Sequence, residues 1–217
     1  MITVENLVFN HWQENTYILH DETGEAVVID CGCYFKEEGD KLFAFLKEKG
    51  LKLVMLLNTH LHIDHVLGNH FVLDEYNLLT QAHADDDFLL GETMNYAFRL
   101  GLEGVEHPPK VGHYLKDGDM VHFGNSQLKV LHVPGHSPGG ICFYNEEQEF
   151  VIAGDVLFFE SIGRTDLPYG DYEQLMGGIK DKLLVLDDHV KVFPGHGPST
   201  SIGHERKYNV FLRSITQ

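Results

Sequence analysis

Residues 58–70 read NTHLHIDHVLGNH and place His60, His62, Asp64, His65 and His70 within eleven positions. Neutral imidazoles and carboxylates are costly to gather in one place unless a cation holds them. The stretch follows LKLVMLLN, an apolar run of the kind that forms a buried strand, so the cluster stands at a strand end. His60, His62 and Asp64 alternate, which puts them on one side of an extended backbone and directs His65 elsewhere. One short segment can then serve two neighbouring metal ions.

Three further segments repeat this placement. Residues 134–139, PGHSPG, bring His136 after LKVLHV; Ala153-Gly154-Asp155 follows EFVI; residues 194–198, PGHGP, bring His196 after VKVF. Ligands at the ends of neighbouring strands converge because the sheet fixes their positions, and glycine and proline beside them permit sharp turns. Imidazole suits zinc and iron, and a carboxylate can bridge two cations. Two ions about 3.5–4 Å apart can hold a hydroxide nucleophile and stabilise charge on an attacked carbonyl. His70 and His132 lie near these motifs, whereas the other histidines, His83 among them, read as ordinary polar residues.

The 217 residues suffice for one substantial α/β domain, and no linker, low-complexity run or internal period divides 1–217. Acidic residues outnumber Lys and Arg 33 to 16, a formal charge of −17. That balance argues against nucleic acid and anionic membranes as partners, since phosphate binding needs concentrated basic charge. No apolar run reaches the length of a membrane span, and MITVENLVFN has no basic region followed by an apolar core, so no secretory signal is expected. Three cysteines at uneven spacing suit a reducing compartment, which makes a cytoplasmic protein the expectation.

Strands are expected at TVENLVF, NTYILHD, EAVVID and LKLVMLLN, with a helix over EEGDKLFAFLKEKG whose Leu42, Phe45 and Leu46 share one face. Residues 65–77 read as helix. In 84–116 the first part reads as helix and EGVEHPPKVGHY as loop; a loop of that length is often functional or mobile, and whether 84–116 form a lid stays open. Strands return at MVHFG, QLKVLHV, ICFY and EFVIAGD, followed by a helix over DYEQLMGGIKDKLLVL and the strand VKVF. This order predicts an α/β protein with two packed sheets and outer helices.

The THxHxDH signature at Thr59 to His65, with the three other segments, resembles the metallo-β-lactamase-fold hydrolases over nearly the whole chain. The resemblance implies a four-layer αββα sandwich of two mixed sheets, with metals at one edge. It implies His60, His62 and His136 on a first ion, Asp64, His65 and His196 on a second, and Asp155 bridging them, with Asp64 or Asp155 hydrogen-bonded to the attacking hydroxide. PGHSPGG, GDVLFFESIGRTDLP and PGHGPSTSIGHERKYNVFL look most like the compact bacterial branch of glyoxalase II, the hydroxyacylglutathione hydrolases. That implies two divalent ions, zinc foremost, with iron or a zinc–iron pair as alternatives, and a small acyl-thiol substrate; the oligomeric state stays open.

Two other activities share these residues by resemblance. Persulfide dioxygenases use one iron on the counterparts of His60, His136 and Asp155, and a lactonase would open a cyclic ester. True β-lactamases typically carry Cys where Asp155 stands, flavodiiron relatives an acidic residue where His62 stands, and nuclease members extra motifs that are not found here. The chain also departs from glyoxalase II: the C-terminal basic clamp for glutathione has no counterpart, Val210 replaces the proline of NPFL, and Tyr169-Gly170-Asp171 replaces GGD.

Four residues join the site as orienting or substrate-contacting candidates. Asp30 and Thr59 are expected to orient a metal-bound imidazole. Arg164 and Asp166 form either an ion pair shaping the pocket floor or a solvated loop pair, with Arg164 as a candidate anion contact. Arg206 and Lys207 offer charge for an anionic substrate or a helix face, Cys31 and Cys33 read as bystander thiols, and Tyr169 and Tyr172 are pocket candidates by proximity.

Overall fold

Alternation along the strands explains the layers of the computed structural model, which describes residues 1–214. The first strands are β1 (Thr3–Phe9), β2 (Glu14–His20) and β3 (Glu25–Ile29). In β2 and β3, Tyr17, Leu19, Val27 and Ile29 join a core between two sheets, while Ile18, Ala26 and Val28 join one beneath helices. Such strands are buried on both faces and demand cover on both.

Helix α1 (Lys36–Glu48) covers the outer face with Leu42 and Leu46. Glu38 sets its start by accepting the backbone N–H groups of Tyr34, Phe35 and Asn10. Strand β4 (Lys52–Leu57) follows, then the short helix α2 (Ile63–Val66), α3 (Asn69–Tyr76), β5 (Thr80–His83), α4 (Asp87–Leu100) and β6 (His113–Leu115). The first sheet runs β1-β2-β3-β4-β5-β6, antiparallel for its first pairings and parallel from β3 onward.

The second sheet holds β7 (Met120–Phe123), β8 (Ser126–His132), β9 (Ile141–Asn145) and β10 (Phe150–Gly154). A small pair, β11 (Leu157–Phe158) and β12 (Ser161–Ile162), precedes helix α5 (Tyr172–Gly178), which continues as a π-helical turn to Leu183. Strands β13 (Lys191–Pro194) and β14 (Thr200–Ser201) and helix α6 (Ile202–Tyr208) complete the order. The sheet reads β14-β13-β10-β9-β8-β7. Leu131, Val151 and Ala153 pack outward on Leu175, Ile179, Leu183 and Ile202, so the architecture is a four-layer αββα sandwich of two mixed sheets.

The strands β8, β10 and β13 run in one direction, and their ends meet the end of β4 at one edge. Backbone bonds from Asn15 to Gly195 and from Ile141 to Thr59 stitch the sheets there, each 2.8 Å long. Among the described residues no helix is long and apolar enough to cross a membrane.

Three details differ from the sequence reading. The helix expected over 65–77 is two helices, because Gly68 leaves helical geometry, donates to the Cys31 carbonyl at 2.8 Å, and sits where any Cβ would lie 2.6 Å from the Cys31 sulfur. His113 and Tyr114, read as loop, begin a strand that pairs with β5, for which the sequence reading held no expectation; both strands are too short for a periodicity to register. Finally, the extended alternation stops at His62: Asp64 and His65 sit on the helical turn of α2, which turns both side chains back toward the strand ends.

Candidate metal centre

The seven strand-end residues come together in two groups. Potential ligand atoms of His60, His62 and His136 lie within 4.8 Å of one another, and so do those of Asp64, His65 and His196. The Asp155 carboxylate stands between the groups. Its Oδ2 is 3.5 Å from His136 Nε2 and 3.6 Å from His196 Nε2, and its Oδ1 is 3.5 Å from His65 Nε2. Asp64 Oδ2 lies 3.2 Å from His196 Nε2. Gly195 is required beside them, since a Cβ there would strike Asp155 Oδ1.

Hydrogen bonds outside the cluster settle which ring nitrogen faces it. His136 Nδ1 donates to the Arg164 carbonyl at 2.8 Å and His196 Nδ1 to the Trp12 carbonyl at 3.0 Å. The Thr59 hydroxyl gives its proton to Asp30 Oδ2 at 2.6 Å and so accepts from His60 Nδ1 at 3.1 Å. Each ring therefore turns Nε2 inward, where it is the atom that would meet a cation. His62 Nδ1 faces His136 Nε2 at 2.9 Å, while His60 Nε2, His65 Nε2 and Asp155 Oδ1 are buried with no hydrogen-bond partner among the described residues. Converging lone pairs and orphaned buried donor atoms are costly by themselves and fit divalent cations, and the nitrogen–carboxylate set suits zinc or iron.

Electrostatics divides the histidines. Burial, reinforced by the neighbouring imidazoles, holds His60 well below its ordinary pKa and His62 down to about 3. Burial also opposes charge on His65 and His196, but Asp64 and Asp155 outweigh it and raise both. The two carboxyls, which burial alone would raise, lie below their usual range because His65 stands beside them.

Without metal, these shifts predict a bell-shaped stability profile. Below the unfolded histidine value of about 6.5, the unfolded chain binds protons that buried His60 and His62 refuse, so stability falls as pH drops toward 3. Above about 6.5, His65 and His196 keep protons that the unfolded chain has lost, so stability falls as pH rises through their raised values. The thermal midpoint of chelated protein, measured from pH 4 to 9, should peak near pH 6.5. Metal loading should remove the alkaline arm, because bound imidazoles carry no proton at the metal.

The other candidates fall as follows. Asp30, buried at left-handed backbone (φ 55°), accepts from Thr59 N at 2.7 Å and lies 3.1 Å from His65 Nδ1. The Arg164–Asp166 pair is bidentate, at 2.8 and 2.9 Å, but its side chains are 61% and 71% exposed, so it is a solvated loop pair rather than a pocket floor. Arg164 reaches the centre through its carbonyl. Arg206 caps the carbonyls of Leu184 and Leu186 and faces Asp188, which places it in helix packing. Cys31 and Cys33 are buried in the core under α1, and Tyr169 is exposed, edge-on to Phe88. His70 lies tilted against Phe71, and His132 stacks on His83.

The structure adds residues that sequence reading missed. Buried Asp86 accepts from Leu61 N, Ser137 Oγ and Gly139 N, which ties the loop of His60 and His62 to the loop of His136. Asn58 donates to Asp30 and to the His65 carbonyl, and Asn10 donates to the Asp64 carbonyl. Glu14 lies 4.0 Å from His65 Nδ1, and burial raises its carboxyl well above the usual range. Asn58 directly precedes the histidine motif, which was the one available signal; the others carry none.

Residues 10–196 match the model of the metallo-β-lactamase superfamily. The chain is 34% identical over 218 residues to hydroxyacylglutathione hydrolase GloC of Haemophilus influenzae, covering 98% of this chain and 99% of that protein. Among solved structures, the BLEG-1 B3 metallo-β-lactamase superposes with a TM-score of 0.89 at 32% identity, over 97% of this chain and 100% of that one. TTHA1623 in a di-iron-bound form gives 0.87 at 37% identity, over 96% of this chain and 100% of that one.

Proposed function

The chain belongs to the metallo-β-lactamase superfamily of metallo-hydrolases, and on that premise we propose that it hydrolyses a thioester such as an S-2-hydroxyacyl thiol, with two divalent ions, zinc foremost. The observation that carries the two-ion reading is Asp155, whose carboxylate lies 3.5 Å from His136 of one trio and 3.5–3.6 Å from His65 and His196 of the other. The di-iron form of TTHA1623 supports a pair of ions, and the likeness to GloC supports a 2-hydroxyacyl thioester.

His60, His62 and His136 would hold one ion, Asp64, His65 and His196 the other, and Asp155 both. Ions bound there supply a water of lowered pKa and a Lewis acid for the substrate carbonyl. The protein's own part is to aim the imidazoles and to hold His60 and His62 neutral. Thr59, Trp12 and the Arg164 carbonyl take the outer N–H protons, while Asp30 stands against the outer nitrogen of His65. Asp64 and Asp155 stay ionised, so each can accept a hydrogen bond from an attacking water. A thiol of pKa about 8.5 leaves as the thiolate without help from a strong general acid.

Assays of the metal-loaded protein test this reading. Thiol release from S-lactoylglutathione is expected, abolished by a chelator and restored by zinc. Oxygen uptake with glutathione persulfide and no thiol release would overturn it in favour of a mononuclear iron site on His60, His136 and Asp155. Turnover of a β-lactam alone would overturn it too; the likeness to BLEG-1 keeps that arm in the assay despite Asp155 standing where many lactamases carry Cys.

A further inference from the structure

A second cluster lies on the outer side of the loops that carry the centre. His83 ends β5 and His132 ends β8, and their rings stack with centroids 4.0 Å apart and planes 12° apart. Asp85, two residues past His83, brings Oδ2 to 3.7 Å from His83 Nδ1. The potential ligand atoms of all three lie within 4.8 Å of one another.

The hydrogen bonds leave one ring nitrogen free and engage the other only weakly. His132 Nε2 donates to the Pro138 carbonyl at 3.0 Å, so its Nδ1 keeps a lone pair. His83 Nδ1 accepts the backbone N–H of Asp85 at 3.3 Å, so its lone pair points to the Asp85 side and a cation would take it by displacing that long bond. The His83 side chain is only 13% exposed, whereas Asp85 is 59% exposed and, among the described residues, pairs with no cationic group other than His83. Nearby, Asp117 accepts the backbone N–H of His132 and pairs with Lys182, which leaves Asp85 as the uncommitted carboxylate.

We propose that His83, Asp85 and His132 form a peripheral site for a borderline divalent cation of the zinc class, separate from the seven-residue centre. Two imidazole nitrogens, one carboxylate oxygen and a water complete a tetrahedral set once the stacked rings splay to share one ion. The ion would stabilise the protein. Asp86, adjoining Asp85, bonds to both ligand loops, and His132 holds the Pro138 carbonyl in the loop of His136. An ion on these residues clamps both loops from outside, whatever substrate the centre takes.

Calorimetric titration of zinc into protein whose main centre is already loaded tests this. A further, weaker equivalent should bind to the wild type, with a rise in thermal midpoint. His83→Gln and Asp85→Asn should each lose that equivalent and the rise, while keeping thiol release without added zinc and a wild-type midpoint in its absence. His189→Gln, which alters the exposed Glu149, Asp187 and His189 cluster, serves as the control and should retain both. The proposal is overturned by absence of a further equivalent in the wild type, or by its persistence in His83→Gln and Asp85→Asn.

Discussion

Asp86→Ala is expected to lower unfolding stability by about 3–5 kcal/mol, because each of three buried donors left unpaired costs about 1–3 kcal/mol and the costs overlap. Those donors are Leu61 N, Ser137 Oγ and Gly139 N. The carboxyl accepts all three although burial raises its pKa, so their convergence is what keeps it in place. The variant should also lose metal from the trio of His60, His62 and His136, since Asp86 holds the two loops that bring them together. Denaturant titration and metal retention after dialysis check both effects. Asp86→Asn keeps one carbonyl acceptor and should fall between wild type and Asp86→Ala. Equal metal retention in all three proteins would show that the loops hold their shape without this bond.

Asp30→Asn is expected to weaken metal binding by about 10–100-fold, the usual cost of removing a carboxylate behind a ligating imidazole. Asp30 acts on both trios: it lies 3.1 Å from His65 Nδ1 and, through the Thr59 hydroxyl, fixes the proton on His60 Nδ1. The amide keeps the size but removes the charge that favours a proton on the outer nitrogen of His65. Asp30→Ala should add a stability loss, since Thr59 N, Thr59 Oγ1 and Asn58 Nδ2 would lose a buried acceptor at about 1–3 kcal/mol each. A competition titration against a chromogenic chelator measures the affinity directly. Thr59→Val separates the two branches, because it cuts the path to His60 and leaves the contact with His65.

The strand-end residues were legible because their signal is local: four candidate ligands within His60 to His65, and three more each flanked by glycine or proline after an apolar run. The double-sided burial of β2 and β3 was likewise written in continuous apolar stretches such as EAVVID. Asp86 was not legible, because it stands in the run Asp85-Asp86-Asp87 and only the fold selects the middle one for burial. Glu14 reads as an ordinary polar strand start, and nothing nearby in sequence tells of His65. The helical turn at Ile63–Val66 defeated the alternation rule for the same reason: the side chains of Asp64 and His65 reach the centre by a local change of backbone that period alone cannot signal.

The most direct measurement is elemental mass spectrometry of protein purified anaerobically from medium containing zinc and iron, then desalted so that weakly held ions are removed. The seven-residue centre predicts two tightly held divalent ions per chain, two zincs or a mixed pair. One iron per chain, or none of either metal, would contradict it.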